Sequence, residues 1–324
     1  MQIRTLGKDL KVSAVGMGCM GLTHAYGRPL EKYEAIKVIR AAFDMGYTFF
    51  DTAECYGPFT NEEAVGEALA PVRDKVKIAT KFGVTLEEGN LAPHPDSRPE
   101  VIKKSVEGSL KRLKTDQIDL YYQHRIDPDI PPEEVAECMA EMTKEGKITH
   151  WGISETDEEY LRRAHAVCPV TAIQNRYSMM YRDYERLFPV LEELGVGFVA
   201  FSPLANGLLT EKYGKDSVFE SGADYRAGMP QFRPESYDKN RELFALIRGL
   251  AEEKQDTPAQ VSLAWMLCKK PYIVPIPSSR RPERLRENIG AADVSLTAEE
   301  VKKIDAALSQ MEMSAVFGGH PSVK

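Results

Sequence analysis

Cysteine is scarce in this chain of 324 residues: Cys19, Cys55, Cys138, Cys168 and Cys268 are scattered, and no two form a C-x-x-C pair. That excludes a disulfide frame and a zinc ribbon, and it suits reduced thiols in a cytoplasmic protein. Long apolar runs are missing too, since nothing approaches the roughly 20 residues of a membrane span. The opening stretch Met1–Leu10 has no apolar core of the kind a secretion signal needs. No basic block occurs, and the formal net charge is −7. Nucleic acid and anionic membrane surfaces are therefore not the expected partners, which leaves a small molecule. No grouping of His, Asp and Glu has the look of a metal site. What is present is 43% hydrophobic and 28% charged residues, the balance of a globular protein. The length suits two ordinary domains or one large α/β barrel.

Periodicity decides between them. Residues 2–14 read as a hairpin that turns at Gly7-Lys8-Asp9. Eight short apolar segments then read as strands: Val15–Gly18, Tyr47–Phe50, Val76–Thr80, Ile118–Gln123, Thr149–Ile153, Thr171–Gln174, Gly197–Phe201 and Tyr272–Ile276. Amphipathic helices fall between them at Glu31–Asp44, Asn61–Ala70, Glu100–Leu113, Pro132–Lys144, Asp157–Ala166, Asp183–Leu194, Glu235–Glu253 and Pro258–Cys268. Capping boxes are expected at Thr60 with Glu63, Ser97 with Glu100, Thr156 with Glu159, Thr257 with Gln260 and Thr297 with Glu300. Strict alternation with strands apolar throughout implies a parallel sheet covered by helices. Eight such units predict one α/β domain over residues 1–324, a (β/α)8 barrel. The hairpin would plug its bottom, and Thr297–Met311 would add a helix after the last unit. About thirty residues between Ser202 and Glu235 break the rhythm, as a lid or binding loop does.

In such a barrel the C-terminal ends of the strands share one mouth. Those ends carry Asp51 and, in the following loop, Tyr56; then Lys81; then His124. Each has a plain alternative: a capping Asp, a surface Tyr, a solvated Lys, a loop His. Together they suggest proton donation to a carbonyl. A free phenol, with a pKa near ~10, is a poor acid at neutral pH, and a neighbouring ammonium is expected to pull it down. Asp51 would hold Lys81, and His124 would orient the substrate oxygen. No nucleophile stands with its base, so a proton donor of this kind fits reduction with hydride from a cofactor. Cys55, beside Tyr56, is either a redox-sensitive thiol or a spectator.

Gly16, Gly18 and Gly21 spell G-x-G-x-x-G, but the following Leu22–Pro29 reads as a loop where a dinucleotide fold needs a helix. These glycines are expected to let the backbone pass close under a ligand. A better phosphate site is Ser278-Ser279-Arg280-Arg281, leading into a helix near Pro282, with Arg280 and Arg284 as forked donors.

From Gly16–Gly21, Asp51–Gly57, the Lys81 strand end, Gln123-His124-Arg125 and Ile276–Arg284, the chain resembles the aldo-keto reductases from end to end. That resemblance implies a TIM barrel reducing aldehydes and ketones with NADPH, and its tetrad falls on Asp51, Tyr56, Lys81 and His124. It places the adenosine 2′-phosphate among Ser279, Arg280 and Arg284, with Glu287 and Asn288 near the adenine. It places the nicotinamide on Ser154 and Gln174, with Met20 nearby and Phe201 stacking. The pyrophosphate would run along Ser202, Pro203, Leu204, Ala205 and Gly207. Ser278 stands where many relatives carry Lys or Gly, and Glu155 where many carry Asn. Met20, Tyr26, Phe82 and Tyr177 are the expected pocket walls. Two rivals remain: a cofactor-sensing regulatory subunit, and an isomerase or hydrolase using Lys81 and His124.

Overall fold

The structure, a computed structural model, describes residues 2–87, 90–220 and 222–317. Its strands are β1 Ile3–Leu6, β2 Leu10–Ser13, β3 Met17–Gly18, β4 Phe49–Asp51, β5 Lys77–Phe82, β6 Val84–Glu87, β7 Asn90–Pro95, β8 Leu120–Gln123, β9 Trp151–Ser154, β10 Ala172–Arg176, β11 Gly197–Phe201 and β12 Ile273–Pro275. Eight of them form one parallel sheet in the order β12-β11-β10-β9-β8-β5-β4-β3. The first and last also meet: Gly16 N donates to Pro275 O at 2.9 Å and Gly18 N to Pro277 O at 3.3 Å. The sheet therefore closes into the expected barrel.

Alternation along each strand divides the core into two layers. Phe49, Ala79, Leu120, Tyr122, Ala172, Val199 and Val274 point inward, where Leu6, Leu10 and Val12 of the β1–β2 hairpin pack beneath them. The hairpin is the floor. Outward-facing Phe50, Ile78, Tyr121, Ile153, Ile173 and Phe198 pack on the helices. Helix Lys32–Asp44 shows why: its buried residues Ala35, Ile36, Val38, Ile39 and Ala42 form one stripe at helical spacing.

Apolar runs located the strands but not their ends. Several ladders continue into polar residues, so Asp51 pairs with Ala79, and Lys81 with Tyr122, inside the sheet. Of the five expected capping boxes, those at Thr257/Gln260 and Thr297/Glu300 form. The other three do not, because their hydroxyls are engaged or displaced. Thr60 Oγ1 turns back to Gly57 O, Ser97 Oγ accepts from Gln123, and Asp157 caps its helix in place of Thr156. Pro189 splits the expected Asp183–Leu194 helix into a 3-10 turn and helix Phe188–Leu194. Asn240 likewise divides the expected Glu235–Glu253 helix into Pro234–Lys239 and Arg241–Lys254. The antiparallel β6–β7 pair was not foreseen, since Pro93 and Pro95 suppress a strand reading. Met20–Thr23 forms one helical turn, so the Leu22–Pro29 stretch is not loop throughout.

The long connection after β11 is ordered by short turns, including Ala205–Thr210, Tyr225–Gly228 and Pro230–Phe232. It is strapped to the loop after β3: Gly27 N donates to Ala223 O and Tyr225 N to Ala25 O, both at 2.9 Å. No helix among the described residues is long and apolar enough to cross a membrane.

Candidate active site

The ends of β4 and β5 bring a carboxylate and an ammonium together in the barrel mouth. Lys81 Nζ lies 2.5 Å from Asp51 Oδ1 and donates to Thr52 O at 2.7 Å. Tyr56 Oη stands 3.4 Å from the same nitrogen. All three are buried, Lys81 completely. Isolated, either charge would be very costly here; paired and hydrogen-bonded, both are tolerated. Burial lowers the Lys81 pKa, but Asp51 and Tyr56 more than offset it, so the amine stays charged.

His124 follows β8 and presents its ring edge-on to Tyr56, with centroids 5.8 Å apart. Burial, helped by the charges of Arg125, Lys81 and His24, holds its pKa well below the usual histidine value. The imidazole is neutral. Cys55 Sγ lies 3.5 Å from His124 Nδ1, and burial pushes that thiol up to about 11. Burial thus disfavours the thiolate form that oxidation requires.

One expectation is corrected. Lys81 does pull the Tyr56 phenol down, but burial is the larger effect, and the pKa is pushed up to about 12. The ammonium limits the rise rather than reversing it.

Gln174 and Ser154 reach the same region and are hydrogen-bonded within it. Gln174 donates from Nε2 to Asp51 Oδ2 at 2.7 Å, and Ser154 Oγ donates to Gln174 O at 2.9 Å. Phe201 is half-buried at the end of β11. After it, Ser202, Ala205 and Asn206 all have left-handed backbone, followed by Gly207 at φ 100°. The amides of this run close the turn on itself: Ala205 N donates to Ser202 O and Gly207 N to Leu204 O, both at 2.9 Å. Pro203 and Leu204 are buried within that turn.

At the eighth strand end, helix Pro282–Gly290 follows Ser279 and Arg280 as expected. Arg284 Nη1 pairs with Glu287 at 2.5 Å, and Asn288 is buried. Arg280 is engaged differently from the expectation. Its Nε donates to Gly21 O at 2.6 Å and its Nη1 to Arg28 O at 2.7 Å, which ties down the loop after β3. Its Nη2 is buried and has no hydrogen-bond partner among the described residues.

The expected pocket walls separate into two groups. Met20 and Tyr26 lie on the loop after β3, and Asn206 Nδ2 donates to the Tyr26 hydroxyl at 2.7 Å. Phe82 and Tyr177 are corrections. Both are fully buried in the outer layer, Phe82 against Tyr121 and Tyr177 stacked on Trp265. Period-two alternation decides it: Lys81 and Arg176 face inward, so their neighbours face the helices. The glycines of the G-x-G-x-x-G stretch are also reassigned. A Cβ at Gly18 would sit 2.7 Å from Ile276 O, and one at Gly21 2.8 Å from Ser278 Oγ, so what they approach is the eighth strand end.

Three features went unforeseen. His24 stacks on Tyr56, centroids 6.1 Å apart, and Tyr225 Oη lies 3.2 Å from His24 Nε2. Arg226 pairs with Asp224 at 2.6 Å, and its guanidinium lies 5.2 Å from the Tyr26 ring. Arg125, Glu155 and Arg176 line the rim beside His124. Two of this last group had a signal in sequence, Arg125 by its place directly after His124 and Glu155 by the family resemblance, whereas Arg176 had none.

A family model described as Aldo/keto reductase family matches residues 14–309. A probable aldo-keto reductase 1 of Glycine max is 42% identical over 303 residues, covering 93% of this chain and 87% of its own. The glycerol dehydrogenase AKR11B4 from Gluconobacter oxydans superposes with a TM-score of 0.87 at 29% identity, covering 99% of this chain and 98% of that one. An aldo/keto reductase from Klebsiella pneumoniae, in complex with NADP and acetate, gives 0.72 at 26% identity, with 94% of each chain covered. The fold, the closed tetrad geometry and these likenesses lead to one conclusion: the chain belongs to the aldo/keto reductase family.

Proposed function

We propose that this protein reduces aldehydes and ketones to alcohols with NADPH, Tyr56 being the proton donor. The observation that carries the reading is the Tyr56 hydroxyl 3.4 Å from a buried, charged Lys81 that Asp51 holds from the other side. A phenol pushed up to about 12 is protonated at neutral pH, which is the state a donor must start from. As the proton leaves, the Lys81 charge stabilises the phenolate, and Asp51, braced by Gln174, keeps the ammonium in place. His124 is neutral, so one ring nitrogen carries a proton. In the tautomer with that proton on Nε2, Nδ1 can accept from the Cys55 thiol and Nε2 can donate to the carbonyl oxygen.

NADPH, when bound, supplies the hydride. The residues present suit it: the orphaned Arg280 Nη2, with Ser279 and Arg284, for the 2′-phosphate, and Glu287 and Asn288 for the adenine. The pyrophosphate would run along the turn made by Ser202, Pro203, Leu204, Ala205 and Gly207, as the family resemblance implies. Met20, Ser154, Gln174 and Phe201 would hold the nicotinamide, as the family resemblance implies. The NADP complex of the Klebsiella relative supports this choice of cofactor.

The test is Tyr56→Phe. NADPH binding, followed by fluorescence, should survive while aldehyde reduction, followed by loss of nicotinamide absorbance, disappears. Turnover retained by that variant rejects the assignment.

A further inference from the structure

Beside the tetrad, two guanidinium groups share one carboxylate. Arg125 Nη1 donates to His124 O at 2.6 Å and lies 3.3 Å from Ser154 Oγ, and its Nε is 3.5 Å from Glu155 Oε2. Arg176 ends β10 two residues beyond Gln174, so both side chains leave the strand on its inner face. Its Nη2 lies 3.8 Å from Glu155 Oε1, too far for a hydrogen bond. Its guanidinium carbon sits 5.1 Å from the centre of the Phe201 ring and 5.9 Å from that of Tyr181.

Arg176 is only 7% exposed, yet it is poorly satisfied. Its Nη1 donates to the carbonyl of Phe317. Its Nε is buried and has no hydrogen-bond partner among the described residues. A guanidinium carries five N–H donors in a rigid fork, and a buried cation with unmet donors is costly. Glu155 compensates one positive charge of the two. Lys81 is matched by Asp51, and His124 is neutral, so this rim keeps one positive charge within a chain whose net charge is −7. Uncompensated positive charge of this kind attracts anions.

We propose that Arg176, with Arg125, is the subsite for an anionic group of the carbonyl substrate, a carboxylate, and that oxo acids are the substrate class. The inference rests on the reductase reading and names what that site selects. A carboxylate matches the fork in two parallel hydrogen bonds, which a neutral aldehyde cannot offer. The cofactor's phosphates are the other anions within reach of such a fork, and the experiment separates the two sources.

The measurement compares kcat/KM for para-carboxybenzaldehyde against benzaldehyde, and for an oxobutanoate against butanal. The wild type should favour the acid of each pair by about tenfold or more, as sites built to pair a polar group do. In Arg176→Met that ratio should fall toward one, through a raised KM for the acid, with the NADPH Kd unchanged. Arg176→Lys keeps the charge but loses the fork, so it should retain part of the preference, and it serves if the methionine variant does not fold. Equal turnover of each pair by the wild type overturns the proposal. So does an equal fall for acid and neutral substrate in the variant, which would make Arg176 a structural anchor for the segment at Phe317. A weakened NADPH affinity with the preference intact also overturns it, assigning Arg176 to the cofactor phosphates. If no aldehyde is turned over, the reductase reading fails separately. Calorimetric titration with succinate then decides: binding lost in Arg176→Met sustains the anion subsite, and no binding to the wild type ends it.

Discussion

Gln174 and Asp51, from opposite sides of the barrel mouth, are joined by a 2.7 Å hydrogen bond from Nε2 to Oδ2. Lys81 holds the other carboxylate oxygen at 2.5 Å, so both oxygens of a residue only 2% exposed are satisfied. The resemblance had assigned Gln174 to the nicotinamide alone. The structure shows it bracing the tetrad. Gln174→Leu should therefore destabilise the cofactor-free protein by about 1–3 kcal/mol, the cost of a buried acceptor left unpaired. Chemical denaturation without NADPH measures this, and an unchanged midpoint would show that the brace contributes nothing.

The Lys81–Asp51 pair predicts strong coupling between two substitutions. Lys81→Met alone leaves a buried carboxylate without its cation and should cost ~3–5 kcal/mol. Adding Asp51→Asn removes that charge, so the double variant should recover most of the loss. Reduction should stay low in both variants and in Asp51→Asn alone, by about 10²–10⁴-fold for the loss of assisted proton transfer. Additive destabilisation in the double variant would contradict a buried ion pair.

Glu54 gives the loop that carries Tyr56 a distinct pH response. Burial, and the charge of Glu62, push its pKa up to about 7, against the opposing effects of Ser105, Arg112 and the Gly83 amide. Because the folded state holds this proton more tightly than the unfolded chain, stability is greatest below the unfolded pKa. It declines as pH rises through about 7 and is level beyond. The span corresponds to at most ~3 kcal/mol. Glu54→Gln should abolish this slope and leave the protein more stable than wild type at alkaline pH. Arg112 would keep its partner Glu62 at 2.6 Å. Parallel pH–stability curves for the two proteins would refute the assignment.

How much of this was legible follows from what each signal depends on. Strands buried on both faces write themselves as apolar runs, so all eight were readable. The tetrad was readable because it lies at strand ends that a barrel must bring together. Phe82 and Tyr177 were misplaced for a reason the sequence does contain: once Lys81 faces inward, alternation sends its neighbour to the helices. Arg176 and Glu155 were a different problem. Their meeting depends on where β9 and β10 end, and an apolar run stops before the ladder does. The sign of the Tyr56 shift was also beyond sequence, because it compares a burial penalty with one charge at 3.4 Å. The strap's attachment to Ala25 and Gly27 is made by backbone groups, which carry no residue signature.

Barrel closure supplies the last prediction. A Cβ on Gly18 would stand 2.7 Å from the carbonyl oxygen of Ile276, a backbone atom that cannot swing aside. Gly18 N also makes one of the bonds joining the first and eighth strands. Gly18→Ala must therefore spread the seam or break that bond, and should cost ~1–3 kcal/mol or more, as overpacking does. Gly249 is the control. It lies in helix Arg241–Lys254, and a Cβ there would meet nothing within 4 Å. Gly249→Ala should stabilise by about 0.5–1 kcal/mol through lower chain entropy in the unfolded state. Thermal unfolding of the two variants side by side reads the contrast. Because the seam carries Ser278 and Arg280 on one side and Gly21 on the other, Gly18→Ala should also weaken NADPH binding, whereas Gly249→Ala should leave it as it is. Equal midpoints for the two variants would mean that the seam yields freely, and that closure does not depend on a bare backbone at Gly18.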